Sequence, residues 1–202
     1  MKKAKFTRSA EGYNLAAARY DEKEKYLNSF EQKKVLPLIG NVSGKKILDV
    51  GAGTGRLAVE LAAFPEAKVA ALDLSEKMLE RLRRKNKQIE CVVGDGENLP
   101  FASASFDIVV AAFFIVHLKE PKYFFAEAYR VLKDGGFLLV TNINQKDPPR
   151  VKTSTGDIII ESYYHRPEQV REELETLAFT IEKEIFVKEK EVWVNQIIKA
   201  RK

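Results

Sequence analysis

The sequence predicts an α/β fold built on a mostly parallel sheet with helices on both faces, and three observations carry that expectation. From Lys46 onward, apolar runs of four to seven residues alternate with amphipathic stretches of ten or more, the pattern of strands joined by crossover helices. Ile47-Leu48-Asp49-Val50 runs straight into Gly51-Ala52-Gly53-Thr54-Gly55, a buried strand followed by a glycine turn that opens a helix. The chain closes with two β-rich runs, residues 179–187 and 191–200, separated by Lys188-Glu189-Lys190, which read as an antiparallel hairpin.

The elements follow in order. Residues 10–36, rich in Ala, Glu, Lys and Tyr, predict helix, broken by Pro37 and by residues 40–45. Strands are expected at 46–50, 68–72, 89–93, 106–112 and 136–141, with helical spacing at 55–64, 75–85 and 121–132, as in Met78, Leu79 and Leu82. Residues 142–166 interrupt the alternation with Asp147-Pro148-Pro149 and a β-like run at 157–163; a connection that long is commonly a lid or substrate wall. A helix at 167–177 leads to the hairpin.

With 202 residues, 45% hydrophobic and 31% charged, the composition is that of an ordinary globular protein and excludes disordered or collagen-like chains. The length suits one domain, 1–202, organised as a helical leader or cap (1–44), a ligand-binding core (45–141), a lid-like insertion (142–166) and a C-terminal helix with hairpin (167–202). The longest apolar run, residues 108–116, has nine residues, well short of the roughly 20 needed to span a membrane. The basic N-terminus, Met1-Lys2-Lys3-Ala4-Lys5, leads into no apolar segment, and Cys91 stands alone, so a cytoplasmic location is expected and no metal site. Net charge is +5, and the densest basic run is Arg81-Leu82-Arg83-Arg84-Lys85-Asn86-Lys87. It reads first as a solvated helix end complementing the helix dipole, and second as a nucleic-acid patch.

The glycine turn discriminates between ligands. A dinucleotide fingerprint wants Gly-x-Gly-x-x-Gly, but the third glycine arrives one residue early at Gly55 and Arg56 fills its place. Asp49 closes the strand, which would repel a pyrophosphate and suits an ammonium or sulfonium. Asp73 stands at the next strand tip, 18 residues after Gly55, where a carboxylate accepts from ribose hydroxyls or caps the following helix. Gly94-Asp95-Gly96-Glu97 follows the third strand and offers a carboxylate for an adenine amino group.

This ordered set resembles the S-adenosylmethionine-dependent methyltransferases with a Rossmann-like core, specifically the small-molecule family that includes the quinone-ring methyltransferases. The resemblance covers roughly residues 48–140. It implies a seven-stranded sheet and S-adenosyl-L-methionine as cofactor, held by Tyr20, Asp49, Gly51, Gly53, Gly55, Asp73, Leu74, Met78, Asp95, Gly96, Glu97 and Ala112. Ser105-Phe106-Asp107 and Arg130-Val131-Leu132-Lys133-Asp134-Gly135-Gly136 match later family motifs, except that Asp134 stands where proline is usual. Tyr20 resembles a leader tyrosine that covers the cofactor, or is an ordinary half-buried aromatic.

Methyl transfer is an in-line displacement, and a base is needed only for a protonated nucleophile. His117, just beyond the fourth core strand, and His165, at the end of the expected lid, are the candidate bases; each also reads as a hydrogen-bonded histidine fixing a loop. Phe113, Phe114, Tyr163 and Tyr164 favour a flat or hydrophobic small-molecule acceptor. An RNA or protein substrate on the basic face, and a non-catalytic cofactor-binding module, are the rivals; oligomeric state is left open. Asp147-Pro148-Pro149 recurs in amino-group methyltransferases after the fourth strand, but here it stands elsewhere and reads as a loop turn.

Overall fold

The computed structural model describes residues 4–31, 33–153 and 156–202. The Met1-Lys2-Lys3 part of the N-terminal reading lies outside the described residues. In chain order the elements are β1 (Lys5–Thr7), α1 (Ser9–Ala16), a 3₁₀ stretch (Ala17–Lys23), α2 (Glu24–Glu31), α3 (Val35–Ile39), β2 (Lys46–Val50), α4 (Arg56–Leu61), β3 (Lys68–Asp73), α5 (Glu76–Lys85), β4 (Glu90–Val93) and β5 (Phe106–Ala111). There follow a 3₁₀ turn (Ile115–His117), α6 (Lys122–Val131), β6 (Leu132–Ile143), β7 (Arg150–Thr153), β8 (Gly156–Ile160), α7 (Pro167–Thr176), β9 (Thr180–Glu189) and β10 (Val192–Arg201).

The central sheet has seven strands in the order β4-β3-β2-β5-β6-β10-β9. Strands β2 to β6 pair in parallel, and β10 runs antiparallel between β6 and β9. The fold class expected from the sequence is the one observed. Strand order reverses at β2, where β3 and β4 lie to one side and β5 and β6 to the other. A crevice forms outside the carboxyl ends of such strands, which is where an open α/β sheet binds ligands.

Alternation along the strands explains the two-faced core. Leu48, Val50, Ala70, Leu72, Val109 and Ala111 pack with Phe124, Phe125, Val170 and Leu174 of α6 and α7. Ile47, Val69, Ala71, Ile108 and Val110 face α3, α4 and α5 through Val35, Leu57, Leu61, Leu79 and Leu82. Buried on both faces, these strands read as continuous apolar runs. Ser75 caps α5 by accepting from the Met78 amide at 3.2 Å, and Arg83, Arg84 and Lys85 complement its C-terminal dipole.

Three expectations are corrected. The leader is no single helix over 10–36: it breaks into α1, a 3₁₀ stretch and α2, and the break before α3 falls at Lys33, whose φ is +58°, rather than at Pro37. Pro37 lies inside the first turn of α3, where its missing N–H costs no hydrogen bond. The β-like run at 157–163 ends as a strand at Ile160, beside the end of β1: the Glu161 amide makes the last bond to β1, at the Thr7 carbonyl, and the Tyr163 amide turns to the Val116 carbonyl. Lastly, the N-terminal residues supply a strand. β1 pairs in parallel with β8, and β8 with β7, making a second, three-stranded sheet from the leader and the insertion. α1 packs on this small sheet through Ala16 against Val151, Ile158 and Ile160. Leader and insertion are thereby one covering layer over the carboxyl edge of the central sheet.

No helix among the described residues is long and apolar enough to cross a membrane.

Candidate functional site

The glycine turn leaves β2 with Gly51, Gly53 and Gly55 all at positive φ. Two of these positions cannot accept a side chain for a second reason. A Cβ on Gly51 would stand 2.6 Å from the Phe114 ring, and one on Gly55 would stand 2.1 Å from Leu82 Cδ1. The turn is tied to β3: the Gly51 and Ala52 amides donate to the Leu72 carbonyl, and the Gly53 amide donates to Asp73 Oδ2 at 2.8 Å. Asp73 also accepts from the Ser75 amide at 2.8 Å, so one carboxylate fixes both the glycine turn and the start of α5.

Two cavities meet at this turn, and a third shares side chains with both. A small one, about 40 Å³, is walled by Tyr20, Asp49, Gly51, Gly53 and Ala112. A second, about 60 Å³, runs past Asp73, Leu74, Asp95, Phe114 and His117, and shares Gly51 with the first. The third and largest, about 520 Å³, opens above them between Tyr13, Tyr20, Leu27, Phe113, Val116 and His117 on one side and Ile143, Gln145, Asp147, Pro149, Arg150 and Val151 on the other. The turn at Asp147-Pro148-Pro149 therefore borders the largest cavity.

Asp49 is 3% exposed and has no ion-pair partner among the described residues. Burial pushes its pKa up to about 7; nearby Arg56 opposes that shift and Asp73 adds to it. Arg56 itself is turned away into a two-pronged bond with buried Glu31, at 2.7 and 2.8 Å, and its guanidinium lies 5.5 Å from the Phe113 ring centre. Burial also raises Asp73, against its two backbone hydrogen bonds, and raises Tyr20 to about 12. A buried carboxylate without a paired cation, beside a backbone cradle open at the glycines, fits a ligand that carries an ammonium or sulfonium.

Asp95 is exposed, lines the second cavity, and its carboxylate accepts from the Glu97 amide at 2.9 Å in the loop after β4. Of the residues singled out by sequence, the structure brings Tyr20, Asp49, Gly51, Gly53, Ala112, Asp73, Leu74, Asp95 and His117 to these cavities. It does not bring Met78, which is 1% exposed in the core, nor Gly55, which is packed on Leu82. Gly96 is covered by the Phe114 ring, and Glu97 lines none of the three cavities.

The two histidines part company. His117 Nδ1 lies 3.0 Å from the Glu161 carbonyl and Nε2 lies 2.7 Å from the Tyr13 hydroxyl, at the junction of the second and third cavities. His165 is 4% exposed, lines none of the three cavities, and bonds the Ile115 carbonyl through Nε2 at 3.0 Å. Its own carbonyl accepts from Asn142, so it ties the insertion to β6. Burial lowers the pKa of both.

Sequence reasoning missed Tyr13, Leu27, Asp21 and the Glu31–Arg56 pair. Tyr13, Tyr20 and Leu27 recur every seven residues along the leader and all line the large cavity, a spacing visible in the sequence. Asp21 accepts from the Thr54 hydroxyl at 2.5 Å, from Arg81 at 2.7 Å and from Lys85 at 2.9 Å. Burial would raise its pKa, but these three bonds pull it down to about 2. The basic run at 81–87 thus clamps the leader with two of its cations, while Arg83 donates to the Cys91 carbonyl.

Comparison with known proteins places a match to the family model described as a methyltransferase domain over residues 48–140. A demethylmenaquinone methyltransferase of Thermotoga maritima is 38% identical over 63% of this chain and 55% of its own. A malonyl-[acyl-carrier protein] O-methyltransferase of Hahella chejuensis is 38% identical over 66% of this chain and 49% of its own. The chain spans about half the length of the curated relatives it matches. A solved S-adenosylmethionine-dependent methyltransferase of Mesorhizobium loti shares the fold, with TM-score 0.73 at 18% identity over 86% of this chain and 98% of that one.

Proposed function

We propose that this chain, a class I S-adenosylmethionine-dependent methyltransferase related to the quinone methyltransferases, moves a methyl group to a small, flat or hydrophobic acceptor held in the 520 Å³ cavity. One observation carries the reading: that cavity shares Tyr20, Leu27 and Phe113 with the glycine-turn cavity and Tyr13 and His117 with the second, so an acceptor and a cofactor would meet there. S-adenosylmethionine, when bound, supplies a methyl carbon already activated by its sulfonium. Asp49 would face its charged methionine end, Asp73 its ribose, and Leu74 with Asp95 its adenine.

The chain's part is to align the acceptor and keep water out, which the leader and insertion do as a roof. Phe113 and Val116 supply an apolar floor, while Gln145, Asp147 and Arg150 set polar groups at the opposite wall. A flat acceptor accords with the relative from Thermotoga maritima, whose name specifies demethylmenaquinone. The basic face is a weaker basis for an RNA or protein acceptor, because Arg81 and Lys85 are engaged by Asp21. A cytoplasmic setting accords with the single Cys91. The test is incubation with methyl-labelled S-adenosylmethionine and a fractionated cell extract: label in the small-molecule fraction supports the reading, and label confined to RNA or protein overturns the acceptor class.

A further inference from the structure

The contact between Tyr13 and His117 has a direction. The Glu161 carbonyl only accepts, so His117 Nδ1 carries the proton and donates to it at 3.0 Å. Nε2 is then bare and accepts the Tyr13 hydroxyl proton at 2.7 Å. The Tyr13 oxygen keeps a lone pair free, and both side chains line the second and the large cavity, where cofactor and acceptor would meet. The tyrosine ring is held edge-on by Tyr20, 5.8 Å between centres, and by the imidazole, 5.1 Å.

We propose, on the transferase reading above, that Tyr13 and His117 form a proton relay, Tyr13 meeting the acceptor and His117 storing the proton, and that the acceptor carries a weakly acidic hydroxyl. The acceptor's proton passes to the Tyr13 oxygen as the Tyr13 proton passes to His117 Nε2. The acceptor oxygen keeps the electron pair of its broken O–H bond and becomes the nucleophile, or feeds that pair into a conjugated carbon. The resulting imidazolium is fully bonded, donating from Nδ1 to Glu161 and from Nε2 to Tyr13, and returns its proton to water when the cavity opens.

The surroundings suit the relay. Burial raises Tyr13 well above its ordinary range, so it stays a phenol, and lowers His117, so its Nε2 is free near neutrality. The other charged or titratable groups facing the pair are Tyr20 and Asp73, which add to the Tyr13 shift, with Asp95 in the second cavity and Asp147 and Arg150 across the large one. Tyr13 is thus the catalytic residue and His117 acts through it.

Two measurements test this. In ¹⁵N-histidine spectra of the whole chain near neutral pH, the signal lost in His117→Gln should show a protonated Nδ1 and a bare Nε2, and Tyr13→Phe, which takes from the imidazolium the oxygen that accepts from Nε2, should lower its titration midpoint by about half a unit or more. In methyl transfer from labelled, saturating S-adenosylmethionine to the small-molecule fraction of a cell extract, Tyr13→Phe and His117→Gln should each fall about 100-fold at pH 7 and recover as rising pH ionises the acceptor unaided. A protonated Nε2, or variants whose loss is equal at every pH or absent, would overturn the relay alone. No transfer by the wild-type chain with S-adenosylhomocysteine bound would overturn the transferase reading beneath it.

Discussion

Cofactor affinity should depend on pH through Asp49. Its pKa is held up at about 7 by burial, so in the ligand-free chain about half of the molecules carry a neutral Asp49 at pH 7 and about 1% carry an ionised one at pH 5. A ligand with an ammonium group binds the ionised form, and binding therefore releases a proton below pH 7. Between pH 5 and the plateau above pH 7, affinity for S-adenosylmethionine should rise about 100-fold, or about 2.7 kcal/mol, close to tenfold per unit. Titration calorimetry in two buffers of different ionisation enthalpy reads both the affinity and the released proton. Asp49→Asn should flatten the curve, which separates Asp49 from His117, whose protonation would weaken binding in the same direction. A pH-independent affinity in the wild-type chain, or an unchanged slope in Asp49→Asn, would refute the reasoning.

Other perturbations follow from single contacts. Asp73→Ala removes the carboxylate that accepts from two backbone N–H groups and is the proposed ribose partner, and should weaken S-adenosylhomocysteine binding about 30-fold by calorimetry, about 2 kcal/mol, within the range of about 1.5–3 kcal/mol for one lost bond to a charged group. Glu31→Gln leaves the Arg56 guanidinium buried without its counter-charge and should cost about 3–5 kcal/mol in urea unfolding; an effect below 1 kcal/mol would contradict a buried pair. Gly55→Ala drives a Cβ into Leu82 at a left-handed φ and should destabilise by more than about 2 kcal/mol in urea unfolding; an effect below about 1 kcal/mol would contradict the close packing at that turn. Asp21→Asn should speed amide exchange across the leader, residues 9–31, while leaving β2 and β5 protected; unchanged exchange would mean the clamp at Thr54, Arg81 and Lys85 does not hold the leader down.

The central sheet was legible because its signal is local. Runs such as Ile47-Leu48 and Val109-Val110 are buried on both faces and must be apolar, and Gly51 and Gly55 stand where a Cβ has no room. Asp49, Asp73 and Asp95 were readable as strand-tip carboxylates for the same reason: register places the ends of parallel strands along one edge. The covering layer was not legible. β1 has three residues, and its partner β8 lies about 150 residues away, so no periodicity in either announces the pairing. Pro37 misled because proline stops a helix in its interior and starts one in its first turn. The same distance hid the relay: Tyr13 and His117 are 104 residues apart, and only the docking of α1 against the turn after β5 joins them. Met78 and His165, read as site residues, sit in the core and in the tie between insertion and β6, since a side chain near a motif can point away from it.

The proposed methyl transfer takes place where the large cavity shares side chains with the other two. The most direct measurement is incubation of the chain with methyl-labelled S-adenosylmethionine and a cell extract, fractionated afterwards into small molecules, lipid, RNA and protein, beside the Asp73→Ala variant. Label in the small-molecule or lipid fraction, present with the intact chain and lost with Asp73→Ala, is the predicted result. Label in RNA or protein alone would contradict the acceptor assigned to the 520 Å³ cavity, and failure to bind the cofactor at all would contradict the site itself.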